Sequence, residues 1–114
     1  MPEFRAEMEK LSDKGIRKVI RHFSSYNLAH AILYEDETVR DMIRRNMYEI
    51  NWRSVLTYLH DYDRSLNADP DAFRFSAKTI QARIMNQIVI STTDGELTAE
   101  DFDESAKERF VYRH

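Results

Sequence analysis

Apolar residues recur along this chain at steps of three and four, the spacing that gathers side chains on one face of an α-helix. Pro2 suits a first helical turn, where its missing N–H costs nothing, and Phe4, Met8 and Leu11 then share a face. Ser12-Asp13 offers a cap that restarts the helix, with Gly15 near the junction and Ile16, Val19, Ile20 and Phe23 continuing the stripe. Lys14, Arg17, Lys18 and Arg21 fall on the opposite side, so residues 3–23 read as one bent helix or as two. Ser24-Ser25-Tyr26-Asn27 breaks the pattern, with Asn27 as the cap of a short helix through Leu28, Ala31 and Ile32. Asp36 caps another, which carries Val39, Met42, Ile43 and Met47. Asn51 is expected to cap the most regular helix, whose face is Trp52, Val55, Leu56, Leu59, Tyr62 and Leu66.

The second half opens on Asn67-Ala68-Asp69-Pro70, a loop whose last two residues also read as N-cap and first helical residue. Phe73, Ala77, Ile80, Ile84 and Ile88 then hold one face of a long helix to about Val89, with an interruption near Ser76 left open. The β-branched run from Ile88 to Thr93 suits a short strand, and Asp94-Gly95 turns the chain. Thr98 starts a last helix with Asp101 as its capping-box acid, and Phe102, Ala106 and Phe110 point inward. These elements predict an all-α, single-domain bundle of five to six helices over residues 1–114, with short connections and room for one small β element near residues 88–97.

Composition supports the helical reading. A turn-rich β fold draws on Gly and Pro for its special dihedrals, and this chain has two of each in 114 residues. It has no cysteine, which removes disulfides, thiolate metal sites and cysteine nucleophiles. The charged start, Met1 to Arg5, lacks the apolar stretch of a secretory signal, and no apolar run approaches the roughly 20 residues of a membrane span. The expected location is therefore the cytoplasm, away from any membrane. A net charge of −3 is at odds with a surface devoted to nucleic acid, where each neutralised phosphate favours a basic balance. Twelve arginines stand against five lysines. The arginine fork suits protein interfaces, and ordinary surface ion pairing accounts for the same bias.

Four patterns bear on chemistry. The segment from Leu28 to Arg45 resembles a helix-turn-helix: Leu28, Ala29 and Ile32 fill the packing positions of a first helix, and Val39 and Met42 those of a second. Arg40, Arg44 and Arg45 would then face outward for base or phosphate contact. Leu33-Tyr34 stands where such turns usually have glycine, and Glu35, Asp36 and Glu37 would bring negative charge toward a DNA backbone. A plain pair of amphipathic helices explains the same residues. Second, His60-Asp61 is similar to the adjacent pair of HD-type phosphohydrolases, with His30 as an upstream ligand. A hydrolytic metal needs a further His and a distant Asp, and adjacent helical residues diverge, so solvent-facing or capping roles account for the pair as well.

Third, Arg17 with His22 and Arg53 with His60 match the Arg-x4–6-His spacing of HEPN-type ribonucleases. About one such match is expected by chance in a chain with twelve arginines and four histidines. The following residues, Lys18 and Ser54, depart from the Asn, Asp or His usual there. Fourth, Asp94-Gly95-Glu96-Leu97 with Asp101 resembles the second half of an EF-hand loop, but Ile90 and Thr92 occupy the positions that need carboxylates. The acidic run Glu100, Asp101, Asp103 and Glu104 is accounted for by the positive end of a helix dipole. No Ser-His-Asp order, glycine-rich phosphate loop or HExxH motif is present.

The function expected is that of a small non-enzymatic interaction or regulatory protein, which binds another protein or a second copy of itself without a cofactor or metal. Two alternatives stand beside it. One is a helix-turn-helix-like DNA-binding regulator that uses residues 28–47, with Arg40, Arg44 and Arg45 at the DNA. The other is a small helical ribonuclease or metal-dependent phosphohydrolase built on Arg53, His60 and Asp61.

Overall fold

Most of the helices begin at a small polar side chain that accepts from an otherwise unpaired N–H of the first turn. Ser12 accepts from the Gly15 amide at 3.2 Å, Ser24 from Asn27 at 3.1 Å, Asp36 from Val39 at 3.2 Å and Asp69 from Ala72 at 3.1 Å. Each such cap is worth about 1 kcal/mol. In the computed structural model, which describes residues 3–65, 69–104 and 106, these caps divide the chain into short helices and two long ones. They are α1 (Phe4–Glu9), α2 (Asp13–Ile20), α3 (Ser25–Ile32), α4 (Glu37–Arg44), α5 (Glu49–Ser65) and α6 (Pro70–Thr93), followed by a 3-10 turn at Ala99–Asp101. The fold is an all-α bundle of six helices, with no strand among the described residues.

Two caps differ from expectation. Ser24, not Asn27, caps α3, and Asn27 is the donor. Helix α5 starts at Glu49, so Asn51 lies inside its first turn and donates its amide to the Tyr48 carbonyl at 3.0 Å. The first stretch resolves into two helices, because Ser12 restarts the chain after the turn at Lys10 and Leu11.

Helix α3 is the hub, packed chiefly between α5 and α6. Its five consecutive residues Leu28, Ala29, His30, Ala31 and Ile32 are all buried, as a helix surrounded by others requires. From α5 come Val55, Leu59 and Tyr62, while Trp52 is half-buried against the core and Leu56 is exposed on its flank. From α6 come Ala77, Ile80, Ile84 and Ile88, with Phe73 packed against the edge. Burying each large aliphatic side chain contributes roughly 1.5–3 kcal/mol. Leu66 and Phe110, also expected to face inward, lie outside the described residues. Ala106 is buried and Phe102 half-buried.

The small β element allowed for residues 88–97 does not form. Helix α6 runs without a break past Ser76 to Thr93, because Ile84, Ile88 and Ser91 continue its buried face. The β-branched penalty, at most about 0.7 kcal/mol per residue, is small against that burial. The threonine hydroxyls also find partners on the helix itself, Thr92 donating to the Ile88 carbonyl at 2.7 Å and Thr93 to Val89 at 2.9 Å. The chain turns at Gly95, whose φ of 87° lies in the left-handed region.

The segment expected to be a last helix from Thr98 opens as a 3-10 turn, Ala99–Asp101, with the Thr98–Asp101 capping box formed, and the described residues Glu104 and Ala106 beyond it are helical. Phe102 is extended and forms an isolated antiparallel bridge with Leu11. This segment lies on the α1–α2 junction: Ser12 N donates to the Asp101 carbonyl at 2.9 Å, and Asp103 N to the Lys10 carbonyl at 2.8 Å. Gly15 is buried within α2 because that backbone passes over it. A Cβ at this position would overlap the Asp101 carbonyl oxygen. The glycine serves close approach here, and not the helix junction.

Candidate binding groove

Because Ile16, Val19 and Ile20 are buried, α2 must turn Lys14, Arg17, Lys18 and Arg21 the other way. Facing them is the turn that links α4 to α5, residues 45–48. The gap between is an open groove of about 690 Å³ with an apolar floor that includes Ile20, Phe23, Leu28 and Met47. Its rim carries Lys14, Arg17, Lys18 and Arg21 from α2 and Arg45 from the end of α4. No carboxylate lines it among the described residues.

Asn46 holds the two walls together. Only 7% exposed, it donates through Nδ2 to the Met42 carbonyl at 2.7 Å and to Asp13 Oδ1 at 3.1 Å. Arg45 Nε donates to the same Asp13 oxygen at 2.9 Å. Hydrogen bonds from Asn46 first and Arg45 second hold the Asp13 carboxyl below its ordinary range, against a smaller opposing effect of burial.

The rim cations differ in how far they are already satisfied. Lys18 Nζ lies 2.8 Å from Asp101 Oδ2 and also donates to the Glu96 carbonyl at 3.1 Å. Asp101 has no solvent exposure. Burial works to raise its carboxyl, but the bonds from Lys18 and from the Thr98 amide, at 2.8 Å, outweigh it and leave Asp101 below its ordinary value. Lys14 meets Glu100 at 3.3 Å, and Arg21 reaches Glu96 only at 3.8 Å. Glu96 is held more closely by His22, whose Nε2 lies 2.8 and 3.0 Å from its two oxygens. His22 is the main reason that the Glu96 carboxyl sits low. Among the described residues Arg17 has a single hydrogen bond, 3.4 Å long, to the neutral Asn46 Oδ1.

The residues singled out by pattern are dispersed. Of the three arginines assigned to a DNA-reading helix, Arg40 is half-buried and turns inward, donating to the Ile32 and Leu33 carbonyls at 3.3 and 2.9 Å. It therefore caps the C-terminal end of α3, where a cation also meets the negative end of the helix dipole. Arg44 is exposed and pairs with Asp41 at 3.1 Å, and Arg45 pairs with Asp13 on the groove rim. His30 is buried, whereas His60 and Asp61 lie exposed on α5. Arg53, exposed on the same helix, pairs with Glu49. Arg17 and His22 engage different partners, Asn46 and Glu96. Among the described residues no three His, Asp or Glu side chains gather as a metal would require.

His30 belongs to an aromatic cluster. Its ring centroid is 4.7 Å from Tyr62, 5.9 Å from Phe73 and 6.1 Å from Tyr26. Its Nε2 is buried with no hydrogen-bond partner among the described residues. Burial lowers the imidazole below its ordinary value, and the Phe73 backbone only partly opposes this.

Sequence reasoning passed over Asn46 and the Lys18–Asp101 pair, and it read Gly15 as a junction. The signal for Lys18 was present in its place on the polar face of α2. Its partner lies 83 residues away, beyond any periodicity. Comparison with protein-family models, characterised proteins and solved structures gave no match. No helix is long and apolar enough to cross a membrane among the described residues.

Proposed function

We propose that this protein is a non-enzymatic binding module that recognises another protein through the groove between α2 and the α4–α5 turn. The observation that carries the reading is the groove itself: five cations around an apolar floor, with no carboxylate in its lining. Such a surface complements a segment that presents acidic side chains beside an apolar one. Tyr48 lines the groove and is 81% exposed, and Ile50 close by is 75% exposed, which supplies apolar area for a partner to cover.

The charge arrangement favours a protein over a nucleic acid as partner. Four of the five rim cations already face a carboxylate, and a phosphate backbone calls for a row of free ones. A regulatory role and a cytoplasmic setting belong to the same proposal; the cysteine-free sequence is compatible with a reducing compartment.

The test is affinity purification of the tagged protein from its own cells, with the wild type beside Arg17→Glu, Tyr48→Ala, Arg44→Glu and Arg53→Glu. A partner should be retained by the wild type and by the changes at Arg44 and Arg53, which lie off the groove, and lost from the two groove variants. A partner that stays with both groove variants refutes the reading. A partner lost only on changing Arg44 or Arg53 transfers the function to another face.

A further inference from the structure

We propose that Arg17 and Arg21 form a subsite for a phosphoryl dianion, carried as a phosphorylated side chain on the partner segment. The proposal rests on the groove reading above and adds the chemistry of the group that enters it. Arg17 in α2 and Arg21 at its C-cap stand one turn apart, at the i, i+4 spacing that puts side chains side by side. Both line the groove. The geometry of their present partners sets them apart from the other rim cations.

Lys18 is committed to a fully buried carboxylate and Arg45 to Asp13 at 2.9 Å, so neither is released without loss. Lys14 has a weak exposed pair with Glu100. Among the described residues Arg17 forms no ion pair within 4 Å and bonds only a neutral amide oxygen, with Asp13 acting on it through space. Arg21 is 64% exposed and only loosely paired at 3.8 Å with Glu96, a carboxylate that His22 already satisfies. The unused donor capacity of the groove is thus concentrated in two guanidinium forks.

A single carboxylate carries one negative charge on two oxygens, which one fork engages in bidentate fashion. A phosphate monoester carries a charge near −2 and three acceptor oxygens, enough to take both forks together. It would compensate Arg17, which has no counter-charge in hydrogen-bond contact, and would draw Arg21 from a pair that Glu96 does not need.

The experiment uses the full chain and four probes: inorganic phosphate, acetate, a short acidic peptide carrying one phosphoserine, and the same peptide unphosphorylated. Binding is followed by amide shifts at Ser25, Asn46 and Tyr48 at constant ionic strength. Phosphate should give saturable shifts where acetate gives none, and the phosphopeptide should bind about tenfold more tightly than its counterpart. That advantage should grow as pH rises through the second ionisation of the phosphate, near ~6. It should vanish in Arg17→Ala and in Arg21→Ala, and return only in part in Arg17→Lys, which keeps the charge and loses the fork. Both peptides binding equally, still dependent on Arg17, overturns the phosphoryl subsite and leaves the groove reading standing. An advantage that persists in Arg17→Ala overturns it too, as does a duplex oligonucleotide that displaces the phosphopeptide from the groove. If neither phosphate nor phosphopeptide binds at all, the subsite is again refuted, while the partner retained or lost by Arg17→Glu decides the groove reading separately.

Discussion

Gly15→Ala separates local propensity from tertiary packing by the sign of its effect. Gly15 is the third residue of α2, where alanine in place of glycine ordinarily gains up to about 1 kcal/mol of helix stability. The structure reverses that expectation. The added methyl overlaps the Asp101 carbonyl oxygen and comes within 3.2 Å of the Asp101 Cβ. The obstacle is backbone, so no side-chain rotation relieves it, and the 3-10 turn must lift from α2. Lifting breaks the bond from Ser12 N to the Asp101 carbonyl and strains that from Asp103 N to Lys10, each worth about 1 kcal/mol. It also loosens the Lys18–Asp101 pair, a charge-assisted contact worth about 1.5–3 kcal/mol. Set against the propensity gain, the net is a destabilisation of about 2–4 kcal/mol, a large part of a typical 5–15 kcal/mol stability. Urea denaturation followed by far-UV circular dichroism reads this as a lower midpoint, by about 1–2 M for an ordinary m-value. If Gly15→Ala is as stable as the wild type or more so, the close approach of the turn to α2 is refuted.

Two further perturbations address the buried ionisable groups. Asp101→Asn should destabilise the fold at neutral pH by about 1.5–3 kcal/mol, since it leaves Lys18 without its charged partner. The Asp101 carboxyl is lowered in the fold, so its contribution is complete above its ordinary value of 3.8 and lost as pH falls through the folded one. The gap between wild type and variant in denaturation should therefore narrow below pH ~4, and a gap independent of pH counts against the pairing. His30 carries the opposite charge logic. Its imidazole is lowered by burial below the ordinary 6.5, so the unfolded chain binds the proton first and stability falls as pH drops below that value. His30→Phe should abolish this part of the loss between pH ~7.5 and 5, and identical pH slopes for the two proteins would show that His30 is not held neutral in the aromatic cluster.

The local grammar of the helices was legible in the sequence. Ser12, Asp36 and Asp69 announced their caps, because a cap depends on residues three positions apart. The faces of α2, α4 and α6 followed from their periodicity, since each buries one side. Where a second element decides the outcome, the sequence was silent or misleading. The run from Ile88 to Thr93 suits a strand by composition, yet α6 carries on through it, because the packed face of Ile84, Ile88 and Ser91 outweighs a small propensity term. Arg40 reads as an outward cation by position and becomes the cap of α3 once the end of that helix is brought to it. The groove has the same character. The sequence placed Lys14, Arg17, Lys18 and Arg21 on one polar face, and nothing local distinguished one from another. The tertiary structure did, by bringing Asp101 to Lys18 and Asp13 to Arg45, while Arg17 bonds a neutral amide and meets Asp13 only through space. Helices arise from neighbours a few residues apart, which a sequence displays. How far each cation is satisfied depends on contacts spanning up to 86 residues, and those exist only after the chain has closed on itself.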